Sequence, residues 1–404
     1  MIKRPIFVLN LLFFFSFLGV VGESFAYFPS TLWSSDRIPK TLIGLTLGHF
    51  ITPNRHDLVV IHPDGLILYE KHEETLIKSF EYNNKSKAQW MKVSAFDVDG
   101  DGLDEVLLTG FYLGRVTSLV VSLTDGKYFE KGNLSAYLNV VLWNGEKILL
   151  SQNRLGAGDF SGPFFRMVWQ APKGQNGKLI AQDSIRLPGQ WAGEQPSLYD
   201  VSGFPKSTEK LDGFLALSPT GILVHYQMQE GKWKSTWKSG QEYGGRVTYF
   251  NLPVKDMMNQ VTNHRFYVPL HFEVVGKGQL PLLENRPFEE GVSMGPQLPS
   301  KSLLRTRSEL CVYLPRNEGY LKNVVGAVPS VRSSSLARLV WTGYGFQENW
   351  SSVHFDGAIT DFTLVDWDHD GSEEILATFL LRDKGYVDTL KKQDSLIMVI
   401  KPTF

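Results

Sequence analysis

Two short stretches carry the residue types with most potential for chemistry. "DVDGDGLDEVLL" runs from Asp97 to Leu108, and "DWDHDGSEEILA" runs from Asp366 to Ala377. Acids recur at alternate positions: Asp97, Asp99 and Asp101 in the first, Asp366, Asp368 and Asp370 in the second. A glycine follows (Gly102, Gly371), then Leu103 or Ser372, and two residues later Glu105 or Glu374. Alternate residues of a tight loop can point inward together. Three carboxylates, the backbone carbonyl of Leu103 or Ser372 and the closing Glu then form the all-oxygen shell that Ca²⁺ accepts. The glycine permits the sharp reversal of the chain. Without a cation, carboxylates about 4 Å apart repel by roughly 1–4 kcal/mol per pair at surface-like dielectric. The expected chemistry is therefore structural binding of calcium at two sites. The competing reading is a solvated acidic turn. Two copies that share the closing Glu and the same apolar exit favour the metal.

An EF-hand begins with the same Asp-x-Asp-x-Asp-Gly run, but it needs a bidentate Glu at its twelfth position and a helix afterwards. Here Leu108 and Ala377 stand at that position, and "EVLLTG" and "EILATF" read as strands. The loops are thus expected inside β-hairpins.

The elements around them are strands throughout. "HDLVVIHPDGLILYEKH" is two apolar runs around Pro63-Asp64-Gly65, and similar pairs flank Asp125-Gly126, Asn144-Gly145, Pro219-Thr220-Gly221 and Glu230-Gly231. No helical periodicity is sustained over three turns. The strands fall into units that begin near Phe50, Asp97, Asp159, Asp200, Phe250, Ala327 and Asp366. The spacing of roughly 40–60 residues, with one longer interval, is that of four-stranded propeller blades. An all-β chain with a seven-bladed β-propeller is the expected fold, and a pair of β-sandwich domains is the alternative. Either "YFPSTLWSSDRIP" or "LIMVIKP" is expected to close the last blade. A Pro- and Gly-rich stretch over about 276–302 reads as a long inserted loop.

Composition narrows the class. The chain has 404 residues, a formal net charge of -1 and scattered basic residues, so nothing in its charge favours nucleic acid. Residues 1–26 read as a signal peptide: basic Lys3 and Arg4, an apolar run from Ile6 to Val21, then Ser24-Phe25-Ala26 before the cleavage point. An uncleaved anchor is the alternative, but the run is short for a span and carries Asn10. The mature chain, 27–404, is expected to be one propeller domain without an integral membrane span, secreted or held in the periplasm or cell envelope. Cys311 is the only cysteine, which excludes an intrachain disulfide and leaves a small buried hydrophobe as its expected role.

"AFDVDGDGLDEVLLTG" and "LVDWDHDGSEEILATF" resemble the FG-GAP, or VCBS-type, repeats of integrin-α-like β-propellers. The resemblance is specific over these two units. It is weak over "LGHFITPNRHDLVVIHPDG", "GAGDFSGPFFRMVWQ" and "LYDVSGFPKSTEKLDGFLAL", which have lost most of the acids, so Asp57, Asp159 and Asp200 inherit no ligand role. The resemblance implies an acidic calcium loop between the first strands of a blade, usually seven blades, and exported proteins with adhesion, carbohydrate-binding or scaffolding roles.

No catalytic motif stands out. There is no HExxH, GxSxG or phosphate-cradling glycine loop. His49, His56 and His62 share one repeat without zinc-site spacing. Eight tryptophans (Trp33, Trp143, Trp169, Trp191, Trp233, Trp237, Trp341, Trp350) could stack on sugars if exposed, but packing between blades is the plainer role. The expected function is a calcium-stabilised, non-catalytic binding or scaffolding module for a protein or polysaccharide. A polysaccharide-acting enzyme with acids converging on the axis, or a lectin-like binder, is the alternative.

Overall fold

The computed structural model describes residues 31–84, 88–123, 127–154, 160–171, 177–185, 197–205, 213–218, 221–243, 249–255, 261–267, 273–281, 306–320, 330–381 and 393–402. The expected signal peptide, Asp125-Gly126, Asp159, Trp191 and Ala327 lie outside them. All regular structure among the described residues is strand. The first, β1 (Thr31–Ser34), belongs to the last sheet. β2 (Gly44–Gly48), β3 (Asp57–His62), β4 (Gly65–His72) and β5 (Thr75–Asn83) form the first blade. The second blade is β6 (Gln89–Phe96), β7 (Glu105–Tyr112), β8 (Arg115–Ser122) and β9 (Phe129–Leu134). The third is β10 (Tyr137–Trp143), β11 (Glu146–Asn153), β12 (Ser161–Gln170) and β13 (Lys178–Ile185). The fourth is β14 (Val201–Gly203), β15 (Phe214–Leu217), β16 (Ile222–Gln229) and β17 (Lys232–Glu242).

A two-stranded hairpin follows, β18 (Tyr249–Lys255) with β19 (Val261–Tyr267). The fifth blade is β20 (Glu273–Pro281), β21 (Thr306–Tyr320), β22 (Ser330–Trp341) and β23 (Phe346–Ser351). The sixth joins both ends of the chain: β24 (Gly357–Val365), β25 (Glu374–Leu381) and β26 (Ser395–Ile400), with β1 added outside β26. Both segments considered for closing the ring therefore take part, paired antiparallel to each other.

The molecule is a six-bladed β-propeller, which corrects the expectation of seven. The discrepancy comes from the unit placed near Phe250. Among the described residues its two strands pair only with each other, so the segment is a hairpin rather than a blade. The unit expected near Ala327 corresponds to the fifth blade, which begins earlier than expected, with β20 at Glu273, so that β22 is already its third strand. Residues 276–281 of the expected long loop belong to β20, and 282–302 lie outside the described residues.

The second strand of a blade is covered on both faces, which explains its continuous apolar runs. Every residue of β3 is buried. Its side chains alternate between neighbours: Val59 and Ile61 pack with Val93, Val106 and Leu108 of the second blade, while Leu58 and Val60 pack with Leu376, Ile397 and Val399 of the sixth. Outer strands such as β5 and β9 contain only half-buried and exposed residues. At about 1.5–3 kcal/mol per fully buried aliphatic side chain, these interblade seams are the main favourable term. No disulfide contributes, and Cys311 is fully buried with its Sγ 2.8 Å from a guanidinium nitrogen of Arg338.

The hairpin turns follow the sequence. Asn144-Gly145 connects β10 to β11 and Glu230-Gly231 connects β16 to β17, both pairs with positive φ, the geometry of the tight turns that match strand twist.

Candidate functional site

Both acidic loops connect the first and second strands of a blade, 97–104 between β6 and β7 and 366–373 between β24 and β25. Their backbones reverse in the same way. Gly102 and Gly371 have φ of 88° and 85°, and the residue two places earlier is also left-handed, at 77° for Gly100 and 60° for His369. The first aspartate of each loop accepts backbone hydrogen bonds from within it: Asp97 from Gly100 and Gly102, Asp366 from Gly371. Leu103 and Ser372 donate their N–H groups to Asp101 and Asp370 at 2.9 and 2.7 Å.

The closing glutamates are the buried members. Glu105 and Glu374 each open a second strand and are 1% and 0% exposed. Each accepts the N–H of the residue after the first aspartate, Val98 at 2.9 Å and Trp367 at 2.8 Å. Burial pushes both carboxyls above the usual carboxylate range, against the lowering effect of these bonds and of nearby lysines. Carboxylate oxygens of Asp97, Asp99 and Asp101 lie within 4.8 Å of one another, as do those of Asp366, Asp368 and Glu374. Glu105 and Asp370 fall outside these clusters. In the second loop, the buried atoms Oδ1 of Asp366 and Oε1 of Glu374 receive no hydrogen bond. The donor set is all oxygen, as a calcium site requires.

Two residues not anticipated from the sequence enter the loops. Lys131 places Nζ 2.7 Å from Asp99 and 2.6 Å from Glu105, with Asp101 at 3.9 Å. Lys401 places Nζ 2.5 Å from Asp370, 3.2 Å from Asp368 and 3.5 Å from Glu374. Lys131 stands on a bulge of β9: Val120 faces Gly132 and Val121 faces Glu130, so residue 131 is the extra one. Bulges re-aim side chains, and here the re-aimed side chain is the ammonium. Lys401 directly follows β26. No local sequence signal marks either lysine, because each meets its loop only through strand pairing.

Asp104, the acid left unassigned in the first loop, joins blades. Its carboxylate accepts the N–H of His49 at 2.8 Å, and its own N–H reaches the carbonyl of His49. The rings of His49 and His56 stack at 4.1 Å, while His62 is buried beside Lys40.

All six first strands line an axial cavity of about 620 Å³. Its polar lining includes Lys147, His56 and Glu273, together with Asp366, His369 and Glu373 from the second acidic loop. That volume lies within the range of small-ligand pockets. Deeper on the axis, Lys92 of β6 pairs with Asp361 of β24 at 2.8 and 3.1 Å, the side chains being 5% and 1% exposed. The two occupy equivalent positions, since Phe96 faces Glu105 and Val365 faces Glu374. The equivalent residue of the intervening blade is Gly44. A Cβ there would lie 3.4 Å from Asp361 Oδ2, so the missing side chain leaves room for the pair. The N–H of Leu45 also donates to Asp361, at 3.1 Å.

Among the described residues, none of Trp33, Trp143, Trp169, Trp233, Trp237, Trp341 and Trp350 is exposed; all are half-buried. Trp143 and Trp233 pack around Phe214, and Trp237 and Trp341 around Phe346, which is the packing role expected for them. No helix of the described residues is long and apolar enough to cross a membrane.

No family profile matches the sequence, and neither does any curated protein. Solved structures that resemble it include Sqt1 of Saccharomyces cerevisiae, 12% identical, covering 93% of this chain and 99% of that one with a TM-score of 0.39. Another is a triple arginine mutant of AofleA from Arthrobotrys oligospora, 11% identical, covering 92% and 91% with a TM-score of 0.37. The Saccharomyces cerevisiae core factor is 9% identical over 85% of this chain and 54% of that one, with a TM-score of 0.38. Likenesses this loose carry no argument about function, and the six-bladed assignment rests on the strand order itself.

Proposed function

We propose that the chain is an exported, calcium-stabilised propeller of the FG-GAP or VCBS type that binds a protein or polysaccharide through its axial mouth and performs no chemistry. The observation that carries the binding role is the cavity of about 620 Å³ that all six inner strands line. Its lining mixes the ammonium of Lys147 and the imidazole of His56, which burial holds toward the neutral form, with the carboxylates of Asp366 and Glu373, which suits recognition of a polar ligand. The two acidic loops support the calcium reading through their oxygen donors and the buried, hydrogen-bond-free Oε1 of Glu374. Asp97, Asp99, Asp101, Leu103 and Glu105 would hold one ion, and Asp366, Asp368, Asp370, Ser372 and Glu374 the other. Their placement between first and second strands matches the repeat type proposed. The basic, apolar and small-residue sequence of 1–26 supports export.

The test is capture by the immobilised protein from a panel of glycans and from extracellular extracts, repeated with Lys147→Glu. Loss of the captured ligand in the variant supports the axial mouth as the site. Unchanged capture by a folded variant refutes it. A second reading has its own observation: Glu273, Asp366 and Glu373 place carboxylates on the same cavity, as a polysaccharide-acting enzyme requires. Release of new reducing ends from a polysaccharide, abolished by Glu373→Gln, would replace the binding reading.

A further inference from the structure

Asp57, Glu105 and Glu374 stand at the same place in three blades. Each is the first residue of a second strand, facing the last paired residue of the first: Gly48, Phe96 and Val365. All three are buried, at 0%, 1% and 0% exposure. An ionised carboxylate in such a place needs a cation beside it. In the first blade, whose loop has lost its other acids, that cation is part of the chain: Arg55 Nε lies 2.7 Å from Asp57, and Arg55 also reaches Glu70 at 2.8 Å. In the second blade Lys131 Nζ lies 2.6 Å from Glu105, and in the sixth Lys401 Nζ lies 3.5 Å from Glu374. The lysines reach these glutamates from outside the loops, one from a bulge in a fourth strand and the other from just beyond a third.

We propose that Lys131 and Lys401 are resident counter-cations of the two acidic loops, and that a divalent ion enters each loop only by displacing its lysine ammonium. The metal half of this inference rests on the calcium reading above. Geometry forces the competition. Lys131 contacts Asp99 and Glu105, two expected calcium ligands, and Lys401 contacts Asp368, Asp370 and Glu374. An ammonium within 2.5–2.7 Å of these oxygens occupies lone pairs and space that a calcium ion would use, and its charge repels the ion. The two loops are unequally closed. Glu105 has Lys131 on one oxygen and the Val98 N–H on the other. In the sixth blade, Oδ1 of Asp366 and Oε1 of Glu374 remain buried without a hydrogen bond, and the Lys401 side chain is 35% exposed against 24% for Lys131. The loop of the sixth blade is therefore the one calcium fills first. The design lets the ring fold without metal, since every buried acid at this position already has a cation from the chain.

The test is calcium titration by calorimetry of the purified protein and of Lys131→Met and Lys401→Met, with melting curves in chelator and in calcium. The expected result is calcium binding about tenfold tighter at the altered loop, a lower melting temperature in chelator, and a larger rise on adding calcium. Equal affinity in wild type and variants overturns the competition. A variant that fails to fold leaves a second readout on the wild type, acetylation of lysines followed by mass spectrometry. Calcium should increase labelling of Lys401 first and then Lys131, and labelling unchanged while calcium binds overturns displacement. Absence of calcium heat from all three proteins refutes the calcium reading and with it the displacement. The counter-cation role is then judged by the chelator melting curves alone, and variants that melt with the wild type overturn it.

Discussion

Replacing Lys92 by Met tests whether the ring depends on a charge pair at its axis. Lys92 and Asp361 reach past the intervening blade at Gly44, so the contact ties the second blade to the sixth. Met keeps most of the lysine volume and removes the ammonium. Asp361 then retains the N–H groups of Leu45 and Phe362, each at 3.1 Å, but loses the cation 2.8 Å away. Breaking a buried pair in this way costs about 3–5 kcal/mol, because a charge is left in a site nearly closed to water. For a chain of 404 residues the unfolding entropy is about 0.8 kcal/mol per degree, so the melting temperature should fall by roughly 4–6 °C. Adding Asp361→Asn removes the stranded charge and keeps an acceptor for the Leu45 N–H. The double variant should recover more than half of the loss, a coupling of about 2 kcal/mol in a double-mutant cycle. Urea unfolding followed by tryptophan fluorescence measures all four proteins. A single-variant loss below about 1 kcal/mol, or strictly additive losses, refutes the reasoning and makes the pair an incidental contact.

The same junction gives a steric prediction. Gly44→Val places its Cβ about where contacts of 3.1 Å to Ile61 and 3.4 Å to Asp361 arise, and should cost about 1–3 kcal/mol in urea unfolding, non-additively with Lys92→Met. Calcium removal should lower the melting temperature modestly. With a site affinity near 10⁻⁴ M and millimolar ion, linkage gives about 1.4 kcal/mol per site, and Asp99→Ala should show a smaller chelation effect; coincident curves with and without chelator would sink the calcium reading. His62 sets a pH dependence. Burial and the Lys40 ammonium, 3.3 Å from its Nε2, hold its pKa down to about 4. The unfolded chain, with a histidine near 6.5, binds more protons between those values. This contribution is fully present above pH 6.5 and is lost as pH falls toward 4, amounting to about 3 kcal/mol. His62→Asn should flatten the fall in melting temperature between pH 7 and pH 4.5, and an unchanged slope would refute the assignment.

The sequence alone determined what depends on neighbours along the chain. Period-two apolar runs and the turn pairs Asn144-Gly145 and Glu230-Gly231 specify hairpins because strand alternation and left-handed turn residues are local constraints. The Asp-x-Asp-x-Asp-Gly loops were legible for the same reason, since Gly102 and Gly371 take the backbone conformation that the motif needs. Blade number was not, because the apolar strands Tyr249–Lys255 and Val261–Tyr267 read like those of a blade, and their pairing as a two-stranded sheet rather than a four-stranded one is decided by the tertiary structure. The axial cavity, the Lys92–Asp361 tie across Gly44 and the lysines inside the acidic loops were invisible too. Lys92 lies 269 residues from Asp361 and Lys131 lies 26 from Glu105, and nothing in either segment marks the other. Ring closure alone brings the first pair together, and the bulge of a fourth strand the second. Charge compensation at the axis and in the two acidic loops is thus a product of tertiary structure, whereas the strands, the turns, the spacing of the acids and the local Arg55–Asp57 pair are written in the chain.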